Sequence, residues 1–193
     1  MTTPTVPSPE LPAGLNSVPR TIVMVGLMGA GKSAIGRRIA QRLGLPFVDA
    51  DAEIERAAGQ TIEEIFATHG EAYFRDGERR VIARLLGEPV HVLSTGGGAF
   101  MDPETRRLIA ERGISVWLRA EIEVLLRRTS RRSNRPLLKG RDPAEVLTKL
   151  MELRYPVYAQ ADIVIESTDG PPEATVQQAI DALARHLARE TAS

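Results

Sequence analysis

Gly26-Leu27-Met28-Gly29-Ala30-Gly31-Lys32-Ser33 fills every fixed position of the phosphate-binding pattern G-x-x-x-x-G-K-[ST]. The flanks have the order that such a loop needs. Thr21-Ile22-Val23-Met24-Val25 before it is an apolar, largely β-branched run that predicts a fully buried strand. Ala34 to Leu43 after it sets Ile35, Ile39 and Leu43 on one face of a predicted helix. Glycines at these positions let successive backbone N–H groups turn inward around a phosphate, and the helix N-terminus adds partial positive charge. Lys32 is then in reach of β- and γ-phosphates, and the Ser33 hydroxyl is left for a magnesium ion. An ordinary strand-to-helix turn is the bland alternative, and it does not require all of these positions in this order.

The remaining composition bounds what surrounds that loop. With 193 residues, 42% hydrophobic and 26% charged, the chain has room for one α/β domain. Formal net charge is zero, so no global field draws it to nucleic acid or to a membrane surface. No cysteine is present, and His69, His91 and His186 lie far apart, without metal-ligand spacing. A reducing cytoplasm fits this usage. No apolar run approaches bilayer length, and the first ten residues lack the basic region and apolar core of a signal peptide. Four prolines by Pro12, with Thr and Ser between them, predict a disordered leader over residues 1–20, with the domain following at 21–189.

Taken in order, Leu45 to Asp49 reads as a second strand, which sets Asp49 and Asp51 beyond its carboxyl end, where open parallel sheets bind ligands. Asp51 has a second reading, as the N-cap of a helix Ala52 to Ala58. Thr61-Ile62-Glu63-Glu64 has capping-box spacing and opens a short helix, and a longer one is expected from Glu71 to Leu86. His91 to Ser94 is a strand that runs into Thr95-Gly96-Gly97-Gly98, where absent side chains allow close approach of the backbone to a ligand, or merely a flexible loop. Ile114 to Leu118 and Ile163 to Ile165 are further strands. Helices are expected between them at about 103–111, 121–128 and 143–159, and after them at 173–189. Arg127, Arg128, Arg131, Arg132, Arg135, Lys139 and Arg141 crowd a stretch with little apolar periodicity. It reads as a basic flap over an anion, as a solvated charge run, or as a nucleic-acid contact. Five strands alternating with helices give an α/β, doubly wound, five-stranded parallel sheet.

The phosphate loop, Asp49-Ala50-Asp51, Phe74-Arg75 with Glu78, Gly96-Gly97-Gly98, Asn134-Arg135-Pro136-Leu137-Leu138 and Arg154-Tyr155-Pro156-Val157-Tyr158 together resemble the shikimate kinases, in family order, from Thr21 to Leu187. That family transfers the γ-phosphate of ATP to the 3-hydroxyl of shikimate in aromatic amino-acid biosynthesis. The resemblance implies a P-loop kinase of the nucleoside monophosphate kinase type, with strand order 2-3-1-4-5 and a lid at about 129–142. It implies that Gly29, Ala30, Gly31, Lys32, Ser33 and Ala34 hold ATP phosphates, and that Ser33 and Asp49 serve one Mg²⁺. Asp51 would orient the attacking hydroxyl and act as its base, with Lys32 and Arg135 on the transferring phosphoryl group. Arg75 and Arg154 would grip the carboxylate, Gly96, Gly97 and Gly98 would line the substrate, and Arg128 would pack on adenine. The expected enzyme is a cytoplasmic monomer without nucleic-acid or membrane partners. Two departures stand out: Ala34 follows Ser33 where the family usually has threonine, and Asp169-Gly170-Pro171-Pro172 carries no arginine for the base. A gluconate kinase on the same fold, or a nucleotide-fold protein that binds RNA without turnover, are the competing readings.

Overall fold

Strand β1, Thr21–Val25, is buried at all five positions because it lies at the centre of the sheet with strands on both sides and helices over both faces. The computed structural model describes residues 11, 12, 15, 17–131, 138 and 140–192. Within them, β1 is joined by β2 Phe47–Asp49, β3 Val92–Ser94, β4 Gly113–Arg119 and β5 Ile163–Glu166, all parallel, in the order β2-β3-β1-β4-β5. The register sets Met24 opposite Ser94 and Val116, and Asp49 opposite Ser94. The chain leaves β1 and β3 toward opposite sides of the sheet. A crevice therefore opens beyond their carboxyl ends, where doubly wound sheets take ligands.

Among the described residues, eight α-helices cover the sheet: α1 Lys32–Leu43, α2 Ala50–Ala58, α3 Ile62–His69, α4 Glu71–Leu85, α5 Pro103–Arg112, α6 Ile122–Ser130, α7 Pro143–Tyr158 and α8 Pro172–Thr191. No described helix is long and apolar enough to cross a membrane. The boundaries differ from expectation where one backbone group changes its partner. Leu45 N–H closes on the Ala40 carbonyl at 2.9 Å, and Pro46 has no N–H, so β2 begins at Phe47 and not at Leu45. Helix α2 begins at Ala50 and not Ala52, because its N-cap is Asp49, whose Oδ1 accepts from Asp51 N–H at 3.0 Å and Ala52 N–H at 3.3 Å. The cap read as a possibility at Asp51 thus belongs to its neighbour. The capping box at Thr61 and Glu64 forms as its spacing predicts.

The expected disordered leader through residue 20 includes two core residues. Leu15 and Val18 are buried, Leu11 packs against the same cluster, and Arg20 pairs with Glu190 at the far end of α8. Proline-rich composition obscured these isolated apolar anchors, since they have no period. Arg135 and most of the predicted lid, 132–137 and 139, lie outside the described residues.

Candidate active site

The phosphate loop leaves β1 through Gly26 and enters α1 at Gly31. Gly29 and Gly31 have φ of 84° and 96°, a left-handed backbone that favours glycine. No side chain caps α1 and no acid stands in its first turn, so its N-terminal N–H groups and dipole face the crevice. Lys32 folds its ammonium onto the loop, donating to the carbonyls of Gly26 at 2.8 Å and Leu27 at 3.0 Å. Ser33 Oγ donates to Asp49 Oδ2 at 2.9 Å and lies 3.1 Å from Ser94 Oγ. One carboxylate, Asp49, therefore bonds the phosphate loop through one oxygen and caps α2 through the other.

The cap on α2 holds Asp51 in that helix's first turn, facing the glycine triplet. Burial pushes the Asp51 carboxyl above the usual range and the Asp49 charge adds to this, while Lys32 opposes it. The triplet is a platform on which charged groups rest. A Cβ on Gly96 would stand 3.0 Å from Glu78 Oε1 and 3.1 Å from Asp51 Oδ1. On Gly97 it would lie 2.9 Å from Arg154 Nη1, and on Gly98 2.4 Å from both terminal nitrogens of Arg75. With the side chains so placed, a Cβ at Gly97 or Gly98 would displace an arginine, and one at Gly96 would crowd two carboxylates.

Arg75 and Glu78 are one turn apart on α4, and Arg75 Nη1 donates to Glu78 Oε2 at 2.7 Å. Glu78 is buried, which pushes its carboxyl up against the opposing pull of Arg75, and its Oε1 has no hydrogen-bond partner among the described residues. Arg154 is buried as well, on α7, and its Nε lacks a partner in the same sense. Two guanidinium groups and two carboxylates thus meet around three adjacent glycines. Arg128, at the end of α6, stands behind the phosphate loop and ties it to the β5–α8 connection: it donates to Gly29 O at 3.1 Å, Ala30 O at 3.2 Å, Ser167 Oγ at 2.9 Å and Thr168 O at 2.5 Å.

The structure therefore brings together Lys32, Ser33, Asp49, Asp51, Arg75, Gly96, Gly97, Gly98 and Arg154, with Arg128 beside Gly29 and Ala30. The shikimate kinase family model matches residues 28–184. The shikimate kinase of Paramagnetospirillum magneticum is 62% identical over 168 residues, which is 87% of this chain and 86% of that protein. The chain belongs to the shikimate kinase family. It is thus a kinase, an ATP-dependent transferase of aromatic amino-acid biosynthesis. The shikimate kinase of Caulobacter vibrioides is 61% identical over 164 residues, covering 85% of this chain and 82% of its own. A solved shikimate kinase from Acinetobacter baumannii, in complex with shikimate, superposes with a TM-score of 0.82 at 40% identity, covering 86% of this chain and 93% of its own. A gluconokinase from Sinorhizobium meliloti, at 21% identity and a TM-score of 0.61, shares the fold.

Three groups at the site were given no individual role in the sequence reading of this shikimate kinase family member. Glu78 was visible as part of a motif, but only burial shows that its carboxylate orients Arg75. Ser94 reaches Ser33 through the register of β3 on β1, which no local pattern encodes. Tyr158, one turn after Arg154, donates its hydroxyl to the Gly97 carbonyl; the i, i+4 spacing was the available signal.

Proposed function

We propose that this chain transfers the γ-phosphoryl group of ATP to the 3-hydroxyl of shikimate, with its residues dividing the work as follows. The N–H groups from Gly29 to Ala34 cradle the phosphates, and the loss of a hydroxyl at Ala34 leaves that backbone donor in place. Lys32 exchanges the carbonyls of Gly26 and Leu27 for phosphate oxygens, and Arg135 meets the transferring group from the lid. Arg128 borders the adenine. Asp51 accepts hydrogen bonds from the acceptor hydroxyls, and the burial that raises its pKa makes it a better proton acceptor than a solvated carboxylate. As the hydroxyl oxygen bonds to the γ-phosphorus, the bond to the β–γ bridging oxygen breaks, ADP leaves and the hydroxyl proton passes to Asp51.

Ser33 Oγ, Asp49 Oδ2 and Ser94 Oγ form a compact set of hard oxygen donors at the phosphate end of the crevice. That set suits Mg²⁺, which keeps several waters and takes few protein ligands, with Ser33 as direct ligand and Asp49 holding its water. The ion, when bound, neutralises charge on the β- and γ-phosphate oxygens. The same reading is of a monomeric enzyme in the cytoplasm, where ATP is supplied.

The observation that carries the substrate assignment is the seating of Arg154 on Gly97 and Arg75 on Gly98, next to Asp51 on Gly96. Two planar forks converging beside a base suit a small polyol that bears a carboxylate. The methyl ester of shikimate tests this directly. Charge-assisted bonds contribute about 1.5–3 kcal/mol each, so the ester should show kcat/KM lower by roughly two orders of magnitude, with the KM for ATP unchanged. An ester used as efficiently as the acid refutes the carboxylate grip.

A further inference from the structure

Tyr158 lies fully buried at the C-terminal end of α7, one turn beyond Arg154. Its ring packs against Phe100, Trp117 and Tyr155, an apolar surround in which the hydroxyl is the one polar point of the side chain. Burial pushes its pKa up to about 12, so it is a neutral O–H donor throughout the physiological range. That proton is given to the Gly97 carbonyl, and the Arg154 guanidinium stands beside the same hydroxyl. A Cβ on Gly97 would lie 2.9 Å from Arg154 Nη1 and 3.7 Å from the Tyr158 hydroxyl, so the three groups meet at one point.

Peptide planarity carries the effect of this bond further. In a trans peptide the carbonyl and the following N–H point in opposite directions, and no cis peptide occurs among the described residues. Holding the Gly97 carbonyl toward α7 therefore turns the Gly98 N–H away from α7, on the residue against which Arg75 rests. Among the described residues, neither the Gly97 nor the Gly98 N–H donates to another backbone carbonyl. We propose that Tyr158 is a positioning residue for the acceptor site: its hydroxyl fixes the 97–98 peptide and the adjacent Arg154 guanidinium in the arrangement that receives the substrate carboxylate. It does so without touching the substrate. The inference rests on the reading of Arg75 and Arg154 as the carboxylate grip.

Tyr158→Phe keeps the ring and removes only the hydroxyl. Tyr155→Phe is the matched control, since its hydroxyl donates to the Ala120 carbonyl at 2.6 Å, outside the triplet. Each loses one part-buried O–H to carbonyl bond, so each should lose some thermal stability. Y158F should raise the KM for shikimate about three- to tenfold, leave the KM for ATP within about twofold, and reduce the preference for shikimate over its methyl ester in step. Y155F should change neither constant. Trp117, the only tryptophan, lies 5.8 Å from the Tyr158 ring, so a fluorescence titration without nucleotide should show the same loss of shikimate affinity in Y158F. A shikimate KM for Y158F within about twofold of wild type overturns the inference, as does an equal rise in the ATP constant or the same rise in Y155F. If the wild type itself does not prefer acid to ester, the carboxylate grip has failed; if it does, and Y158F keeps that preference and its KM, the positioning role alone has failed.

Discussion

Replacing Gly98 by alanine adds one methyl group at the place where Arg75 rests. Gly98 has φ −88° and ψ −15°, an ordinary right-handed conformation, so the backbone accepts alanine without strain. Narrowing of the unfolded ensemble would even favour the variant by about 0.4–1 kcal/mol. The whole penalty falls on the side chain above: the new Cβ would lie 2.4 Å from both terminal nitrogens of Arg75 and 2.5 Å from its Cζ. Carbon contacts settle at about 3.5–4.0 Å, so the guanidinium must retreat by about 1 Å or swing aside. Its 2.7 Å bond to Glu78 is then broken, and with it the alignment of the fork. Loss of one charge-assisted bond to the substrate, about 1.5–3 kcal/mol, corresponds to roughly a ten- to hundredfold fall in kcat/KM for shikimate. Steady-state kinetics with shikimate varied at saturating ATP, then the reverse, should locate the loss in the shikimate constant alone. Gly44→Ala should give the opposite signature, because Gly44 sits at φ +65° with nothing within 4 Å of a Cβ: stability falls and kinetics do not change. A G98A enzyme with wild-type kcat/KM for shikimate would refute the reasoning that the triplet exists to seat charged side chains.

Glu78→Gln should separate stability from recognition. Burial holds the Glu78 pKa above its unfolded value, so the ionised group costs stability at neutral pH, a cost removed as pH falls through the folded value. E78Q should therefore melt no lower than wild type at pH 7, with the gap closing toward acid pH, while its shikimate KM rises; a lower melting point at pH 7 would contradict this account. Leu15→Ala should destabilise by about 2–5 kcal/mol in urea unfolding, since Leu15 is 2% exposed in the main core, and an unchanged midpoint would show that Leu15 does not anchor it.

Much of this architecture was legible because local chemistry and tertiary position coincide. The loop from Gly26 to Ser33 announces a strand before it and a helix after it, and the capping box at Thr61 declares its own helix start. The Asp49–Asp51 pair was legible as a site and misleading as a boundary. Either aspartate can cap a helix by sequence, and the choice fell to Asp49 because β2 ends there. Glu78 and Tyr158 were hidden for another reason. Their roles depend on burial against Gly96 and Gly97, residues far away in the chain, and a helix pattern shows only which side faces inward. Leu15 was hidden by its company, a single apolar anchor among prolines.

The carboxylate of Asp49 is a rigid plane, and a group of that kind cannot turn one oxygen without turning the other. A rotation that improves its bond on the phosphate side tilts the acceptor of the Asp51 and Ala52 N–H groups, and so reaches the first turn of α2. The donor and acceptor halves of the crevice are in this way linked through a single side chain. Thermodynamic reciprocity then applies: whatever factor the nucleotide imposes on shikimate affinity through this lever, shikimate must impose on the nucleotide. Asp49→Asn keeps an acceptor for the helix and weakens the other arm, so it should reduce that mutual factor in both directions by the same amount.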